Sequence, residues 1–228
     1  DEIAPMETAF QGEVGLSGER FIFTSRMTEI LEGLKTKAYE RGLWNFWLTD
    51  SNQGYGLSTV EYAYLAEEMK TQFHAEVFNC SAPDTGNMEV LLRYGTQSQQ
   101  ERWLKPLLEA RIRSAYLMTE PDVASSDATN MSMSCVRDGD GYVLNGEKTW
   151  ISNGGIADVY TVFARTGDAA GARGLSAFVV PADTPGLEVA ERLETIAPHP
   201  LARLRFADCR IPASALIGAQ GQGFKIAM

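Results

Sequence analysis

The sequence has no long apolar run. Nothing in its 228 residues approaches the roughly 20 consecutive hydrophobic positions that a membrane-spanning helix needs. Its first residues carry no basic segment leading into an apolar one, so no secretory signal is read there and a soluble chain is expected. Positive charge is scarce, with 20 Lys and Arg against 30 Asp and Glu and a net charge of -10. No basic stripe is available to neutralise phosphates, which excludes nucleic acid as the expected partner. Histidine is rarer still: His74 and His199 are the two in the chain, and neither stands at ligand spacing to a cysteine, so no metal is expected. The three cysteines, Cys80, Cys135 and Cys209, are odd in number, far apart and without a Cys-x-x-Cys pair. They read as reduced core thiols. Internal repeats and low-complexity segments are also absent.

What is present is a hydrophobic content of 44%, enough over this length for one large core or two smaller ones. The first half reads as helical. Met27, Ile30, Leu31, Leu34 and Ala38 recur at three- and four-residue steps and predict a helix that Gly42 ends. Trp44 and Trp47 sit in an apolar plug. Ser58 and Glu61 form a capping box for a helix that is apolar nearly all round, through Val60, Tyr62, Ala63, Tyr64, Leu65, Ala66 and Met69, and this helix is expected at the buried centre of a bundle. The segment 79–87, NCSAPDTGN, is rich in turn formers; it reads either as the lead into a helix capped by Asp84 or Thr85, or as a substrate-contacting loop. Thr96 and Gln99 make a second capping box, opening a helix that Pro106 ends or kinks.

At Ser114 the apolar period changes from near 3.6 to 2. Met131, Met133 and Cys135 alternate with Ser132 and Ser134; 138–141, DGDG, makes a turn; Asn145-Gly146 is read as a hairpin. Further strands are expected at 159–165, 175–180, 187–190 and 202–207, which together imply an antiparallel barrel or sandwich. The glycine-rich 218–224, GAQGQGF, does not match G-x-G-x-x-G and lies in no βαβ unit, so it reads as a flexible lead into a helix.

Two stretches carry the chemistry: 116–126, YLMTEPDVASS, and 150–153, WISN. Together they offer stacking surface, hydroxyls and small residues that let backbone amides approach a ligand. That set suits a planar, hydrogen-bonding ring with a phosphate tail, and a flavin nucleotide fits the description.

The strings AYLMTEPDVASSDATN and YVLNGEKTWISNGG resemble the flavin-binding signature of the acyl-CoA dehydrogenase family. The flanking NCSAPDTGNMEVLLRYGT and APHPLARLRFADCRIPA resemble the branch of that family acting on longer or branched acyl chains. Several motifs agree in order along nearly the whole chain, which is specific where a lone Thr-Glu-Pro is not. The resemblance implies an α+β, multi-domain fold: an N-terminal α-helical bundle over 1–113, an antiparallel β-barrel or sandwich over 114–218 carrying the flavin-ring motifs, and the start of a C-terminal helical domain at 219–228. It implies FAD as cofactor, with Tyr116, Met118, Thr119, Ser125, Ser126, Trp150, Ile151 and Ser152 as cofactor-binding residues. By the same resemblance Thr119 bonds the reactive edge of the ring and Met118 offers it backbone groups. Trp150 lies along the isoalloxazine, and Ser152 stands where the family often has Thr. Ser125 is assigned to both the pyrophosphate and the thioester substrate.

The implied reaction is FAD-dependent introduction of an α,β double bond into acyl-CoA thioesters, in which a base removes the α-proton and the β-hydrogen leaves as hydride. The partners implied are an acyl-CoA, an electron-transferring flavoprotein that reoxidises the cofactor, and further copies of the full-length protein as a dimer or tetramer. The compartment implied is the cytoplasm, or the mitochondrial matrix in a eukaryote. Glu120 is not read as the base: a carboxylate before Pro caps or pairs, and in the family the base comes from the C-terminal helical domain. The chain starts at Asp1 without a Met and closes on what reads as a helix just beginning, so a longer polypeptide is expected, with no catalytic residue in this portion. Two rival readings are a non-catalytic flavin-binding subunit completed by a partner chain, and a structural acyl-CoA-binding piece.

Overall fold

The helix carrying the Met27 to Ala38 stripe forms as the spacing predicts. In a computed structural model that describes every residue except 1, 20, 51, 124–126, 168, 197 and 198, it runs from Ser25 to Glu40 (α2) and buries Met27, Ile30, Leu31, Leu34 and Ala38. Thr24 caps it, its hydroxyl accepting from the Met27 N–H at 3.1 Å. Its C-terminus is a Schellman turn: Leu43 N–H donates to Ala38 O, Gly42 N–H donates to Tyr39 O, and Gly42 takes φ +71°.

The chain divides into two compact units, Asp1–Thr85 and Gly86–Met228. In the first, α1 (Ile3–Gly12), α2 and α4 (Gln72–Val77) surround a core in which Phe10 and Phe73 pack on the α2 stripe, and α3 (Thr59–Met69) packs on a second, smaller cluster. Ser58 and Glu61 make the capping box of α3. That helix is not the buried centre of a bundle. Its Tyr62, Ala66 and Met69 side packs on Phe46, Phe78 and Cys80, while Val60 and Tyr64 are more than two-thirds exposed. Hydrophobic residues on all sides of a helix show what it can bury, and here one side alone is packed, on that smaller cluster.

The second unit opens with α5 (Asp84–Tyr94), most of which lies in it, then α6 (Gln97–Gln99), a π-helical turn Gln100–Leu104 and α7 (Lys105–Leu108). The Thr96/Gln99 capping box is formed. Pro106 neither ends nor simply kinks the helix: the wider π-turn just before it absorbs the missing donor and the ring's bulk. Strands β1 (Ser114–Leu117), β2 (Ser134–Asp138), β3 (Gly141–Ser152), β4 (Val159–Arg165), β5 (Leu175–Pro181), β6 (Leu187–Leu193), β7 (Leu201–Pro212) and β8 (Leu216–Ile217) follow, with α8 (Gly223–Ala227) after them. The fold class is therefore α+β, with helices preceding strands.

The sheet has the order β6-β7-β3-β2-β4-β5-β8, with β1 also on β4. It is mixed rather than wholly antiparallel, because β1 pairs with β4 in parallel, Ser114 to Leu117 beside Val159 to Val162, and β2 rejoins the same edge with Ser134 beside Arg165. The chain thus leaves the edge of β4 after Leu117, makes an excursion over 118–133, and returns to the same edge. β4 and β5 are buried on both faces. Val162, Ala164, Phe178 and Val180 join the core formed with Leu204 and Phe206, while Val159, Phe163, Ala177 and Val179 join the core beneath Val90 of α5. This explains their nearly unbroken apolar reading in the sequence. Burying Phe163 and Phe178 completely stabilises the unit by roughly 2–3 kcal/mol each.

Asn145-Gly146 is not a hairpin turn. The hairpin joins β2 to β3 through Gly139 at φ +60°, and Asn145-Gly146 lies inside β3 at a shift of register with β7. A distant partner takes up its turn chemistry: Asp208 N–H donates to Asn145 Oδ1 at 2.8 Å, and Asn145 Nδ2 donates to Asp208 Oδ1 at 3.3 Å. Residues 150–152 end the 12-residue strand β3, where Ile151 and Ser152 pair with β7. All three cysteines are buried with free thiols. Burial pushes Cys80 and Cys135 up to about 12 and Cys209 up to about 11. Among the described residues, no helix is long and apolar enough to cross a membrane.

Candidate functional site

Near the end of β3 the register with β7 slips: Lys148 faces Leu204 and Ile151 faces Ala202, so two residues of β3 oppose one of β7. This is a β-bulge, and bulges re-aim side chains. Thr149 turns its N–H away from β7 and donates it to Thr119 O at 2.9 Å, joining β3 to the start of the excursion. Trp150 takes φ +57° and is 57% exposed. A bulky residue in the left-handed region is a true outlier, and such strain concentrates at ligand sites.

The two motif stretches therefore meet. Met118 is half-buried and its carbonyl accepts from Lys148 Nζ at 2.9 Å. Thr119 is half-buried, and among the described residues its hydroxyl has no hydrogen-bond partner. Ile151 is buried in the β core and fixes the far side of the bulge. The Ser152 hydroxyl is hydrogen-bonded to His199 Nε2 at 2.8 Å. Asn153, at φ +61°, donates through Nδ2 to Ser114 O at 3.0 Å, so the end of β3 is fastened to the start of β1. Tyr116 faces the helical side of the sheet. Its ring centroid lies 4.8 Å from that of Phe163, its hydroxyl donates to Ala227 O at 3.4 Å, and burial pushes its phenol above the usual range. Ser125 and Ser126 lie outside the described residues.

Behind these groups is a buried ion pair that the motif reading did not single out. Lys148 is fully buried, and its Nζ donates to Glu120 Oε1 at 2.9 Å as well as to Met118 O. Glu120 Oε2 accepts from Ser132 N–H at 2.7 Å and Ser132 Oγ at 2.8 Å, and Oε1 accepts from Met133 N–H at 3.0 Å. Burial works to raise the Glu120 value, but the charge and hydrogen bond of Lys148 and the Ser132 donors outweigh it and hold the carboxyl below the usual range. Burial pushes the Lys148 ammonium down to about 8 against the pull of Glu120. Glu120 thus pairs. A signal for Lys148 existed in the sequence: it shares the inward parity of Tyr142 and Leu144, where an unpartnered charge is intolerable.

The returning arm of the excursion is held by Arg165, a second residue without a sequence prediction. Its Nε donates to Met131 O at 3.0 Å, one terminal nitrogen to Thr129 O at 2.8 Å and the other to Ala169 O at 3.1 Å. The outcome is an exposed tryptophan, the Thr119 hydroxyl and a serine hydroxyl around a turn whose backbone is pinned from behind.

The acyl-CoA dehydrogenase N-terminal domain matches residues 24–111 and the acyl-CoA dehydrogenase middle domain matches residues 115–209, so the chain belongs to the acyl-CoA dehydrogenase family. It is 46% identical over 210 residues to acyl-CoA dehydrogenase family member 11 of Gallus gallus, covering 87% of this chain and 26% of that protein. It is 45% identical over 208 residues to the Mycobacterium tuberculosis protein named "Probable acyl-CoA dehydrogenase FadE2", covering 87% of this chain and 50% of that protein. The solved structure of a Mycobacterium abscessus protein described as a "putative acyl-CoA dehydrogenase" matches with a TM-score of 0.88 and 44% identity, over 99% of this chain and 58% of that one. The chain spans no more than about half the length of these two curated relatives.

Proposed function

We propose that this chain supplies the flavin-ring platform of an FAD-dependent acyl-CoA dehydrogenase. The observation that carries the reading is the bulge at Thr149 and Trp150, which turns a large aromatic outward in a strained conformation beside Thr119 and Ser152. A core tryptophan or an ordinary strand residue needs no such conformation. The donor set also fits the cofactor: Trp150 offers a face for a planar ring, and the hydroxyls of Thr119 and Ser152 and the backbone of Met118 offer directional groups for its edge. Ser125 and Ser126 extend the proposal toward the pyrophosphate, and Ser125 toward the thioester.

The chemistry that FAD supplies when bound is acceptance of two electrons, so that an acyl-CoA thioester loses its α-proton to a base and its β-hydrogen as hydride. In this reading the residues of this chain hold and orient the ring. Glu120, the carboxylate within the ring motif, is no base: its lone pairs are taken by Lys148, Ser132 and Met133. The proton acceptor is therefore assigned outside the ring motif, in keeping with the family's C-terminal helical domain. The natural electron acceptor in this reading is an electron-transferring flavoprotein, and the full-length protein is an oligomer.

A flavin absorption band in the purified chain, together with a full-length protein whose band bleaches on adding a longer or branched acyl-CoA, would support the reading. A colourless protein that takes up no added FAD would overturn it. A full-length protein that is yellow and that no acyl-CoA bleaches would favour a flavin-binding subunit completed by a partner chain. Single-turnover dehydrogenation on the order of 1 per second by residues 1–228 alone would show that a base resides within them.

A further inference from the structure

We propose that Lys148 is a positioning residue for the flavin, clamping the 118–120 turn from behind so that the Thr119 hydroxyl and the Met118 backbone are held toward the ring edge; this rests on the flavin reading above. Three consecutive residues of the turn are bonded to two consecutive residues of β3. Met118 O and Glu120 Oε1 both accept from Lys148 Nζ at 2.9 Å, and Thr119 O accepts from Thr149 N–H at 2.9 Å. With its carbonyl fixed, the Thr119 hydroxyl is the group left to face a ligand. The same ammonium lies 3.3 Å from Met131 Sδ, and Glu120 carries the clamp on to Ser132 and Met133. One buried charge pair thus registers both arms of the excursion against the strand that bears Trp150 and Ser152.

Stability alone is a poor explanation for this pair. Replacing a buried ion pair by apolar residues of like volume is often neutral or stabilising, so an apolar pair would hold the core as well. What an apolar pair lacks is a donor aimed at Met118 O on one arm joined to an acceptor for Ser132 and Met133 N–H on the other, which is a geometric task.

The test compares the full chain with the neutral double variant Lys148→Met/Glu120→Gln and the single variant Glu120→Gln. In the double variant the amide oxygen still accepts from Ser132, the NH2 group takes the place of the oxygen that accepted from Met133 N–H, and the donor to Met118 is gone; the single variant controls for the amide. Folding is followed by circular dichroism, FAD affinity by titration, and the bound flavin by its absorption band and midpoint potential at saturating FAD. The expected result is a folded double variant that binds FAD on the order of tenfold more weakly, the scale of one lost charge-assisted hydrogen bond, with a shifted band and potential. Glu120→Gln is expected to be intermediate, and it carries the test if the double variant does not fold. Variants with wild-type FAD affinity, band and potential would reduce the pair to a structural role and overturn the proposal. If the wild-type chain takes up no FAD, the flavin reading itself falls, and this inference with it.

Discussion

His199 Nε2 stands 2.8 Å from the Ser152 hydroxyl, fixing that hydroxyl at the end of β3, and burial holds the imidazole below its ordinary value of 6.5. The unfolded chain takes up this proton near 6.5, while the folded chain resists it until a lower pH. Between those values the unfolded state binds more protons, so stability falls as pH drops through the window and stays at a fixed deficit below it. The denaturant midpoint of the wild type should fall further between about pH 7.5 and about pH 5.5 than that of His199→Gln. Equal losses would show that His199 does not contribute to the acid limb.

Trp150 should separate stability from binding. Glycine adopts φ +57° freely, so Trp150→Gly should leave the cofactor-free protein as stable as wild type or up to about 1 kcal/mol more stable, since Trp150 is largely exposed. FAD retention should nonetheless fall with the lost stacking face. Chemical denaturation of the apoprotein and FAD titration measure the two effects, and unchanged FAD affinity would remove Trp150 from the site.

Gly146 holds the other irregularity of β3. It takes φ +141°, and a Cβ there would lie 2.9 Å from Met133 Cγ and 3.0 Å from Met133 Cα. Gly146→Ala should destabilise the protein by about 2 kcal/mol or more, combining backbone strain with a clash, as a shift in the denaturant midpoint would show. Because Met133 N–H also donates to Glu120, part of the loss should appear as weaker FAD retention.

These sites show which parts of the structure were legible in the sequence. The α2 stripe and both capping boxes were readable because periodicity and capping are local, with all partners within a few residues. The burial of α3 was not, since an apolar helix does not announce how many neighbours it has. Asn145-Gly146 misled because its turn chemistry is completed by Asp208, far along the chain, and no local rule anticipates that bond. The motif reading assembled Thr119, Trp150 and Ser152 but missed Lys148, Arg165 and His199, whose roles exist only once the excursion, β4 and the 199–200 segment converge.

Removing both hydroxyls at the ring edge is the direct check on the site. Thr119→Ala with Ser152→Ala should weaken flavin retention by about 1 kcal/mol for each lost hydrogen bond. Since Thr119 O accepts from Thr149 through the backbone, the fold should survive the first change. Unchanged FAD affinity in the double variant would sink the ring-edge assignment.

The excursion over 118–133 begins and ends on one edge of β4, with Leu117 beside Val162 and Ser134 beside Arg165. Its two ends are held about 10 Å apart by a strand that does not depend on what happens between them. Lengthening or shortening such a loop changes its closure entropy only slowly, by about 0.6 kcal/mol per doubling, and shifts no register in the sheet. Residues between the Lys148 clamp and the Arg165 anchor can therefore diverge while the strands stay as they are. Within this architecture what the site accepts can change by substitution along the excursion, without altering the strands that carry Trp150 and Ser152.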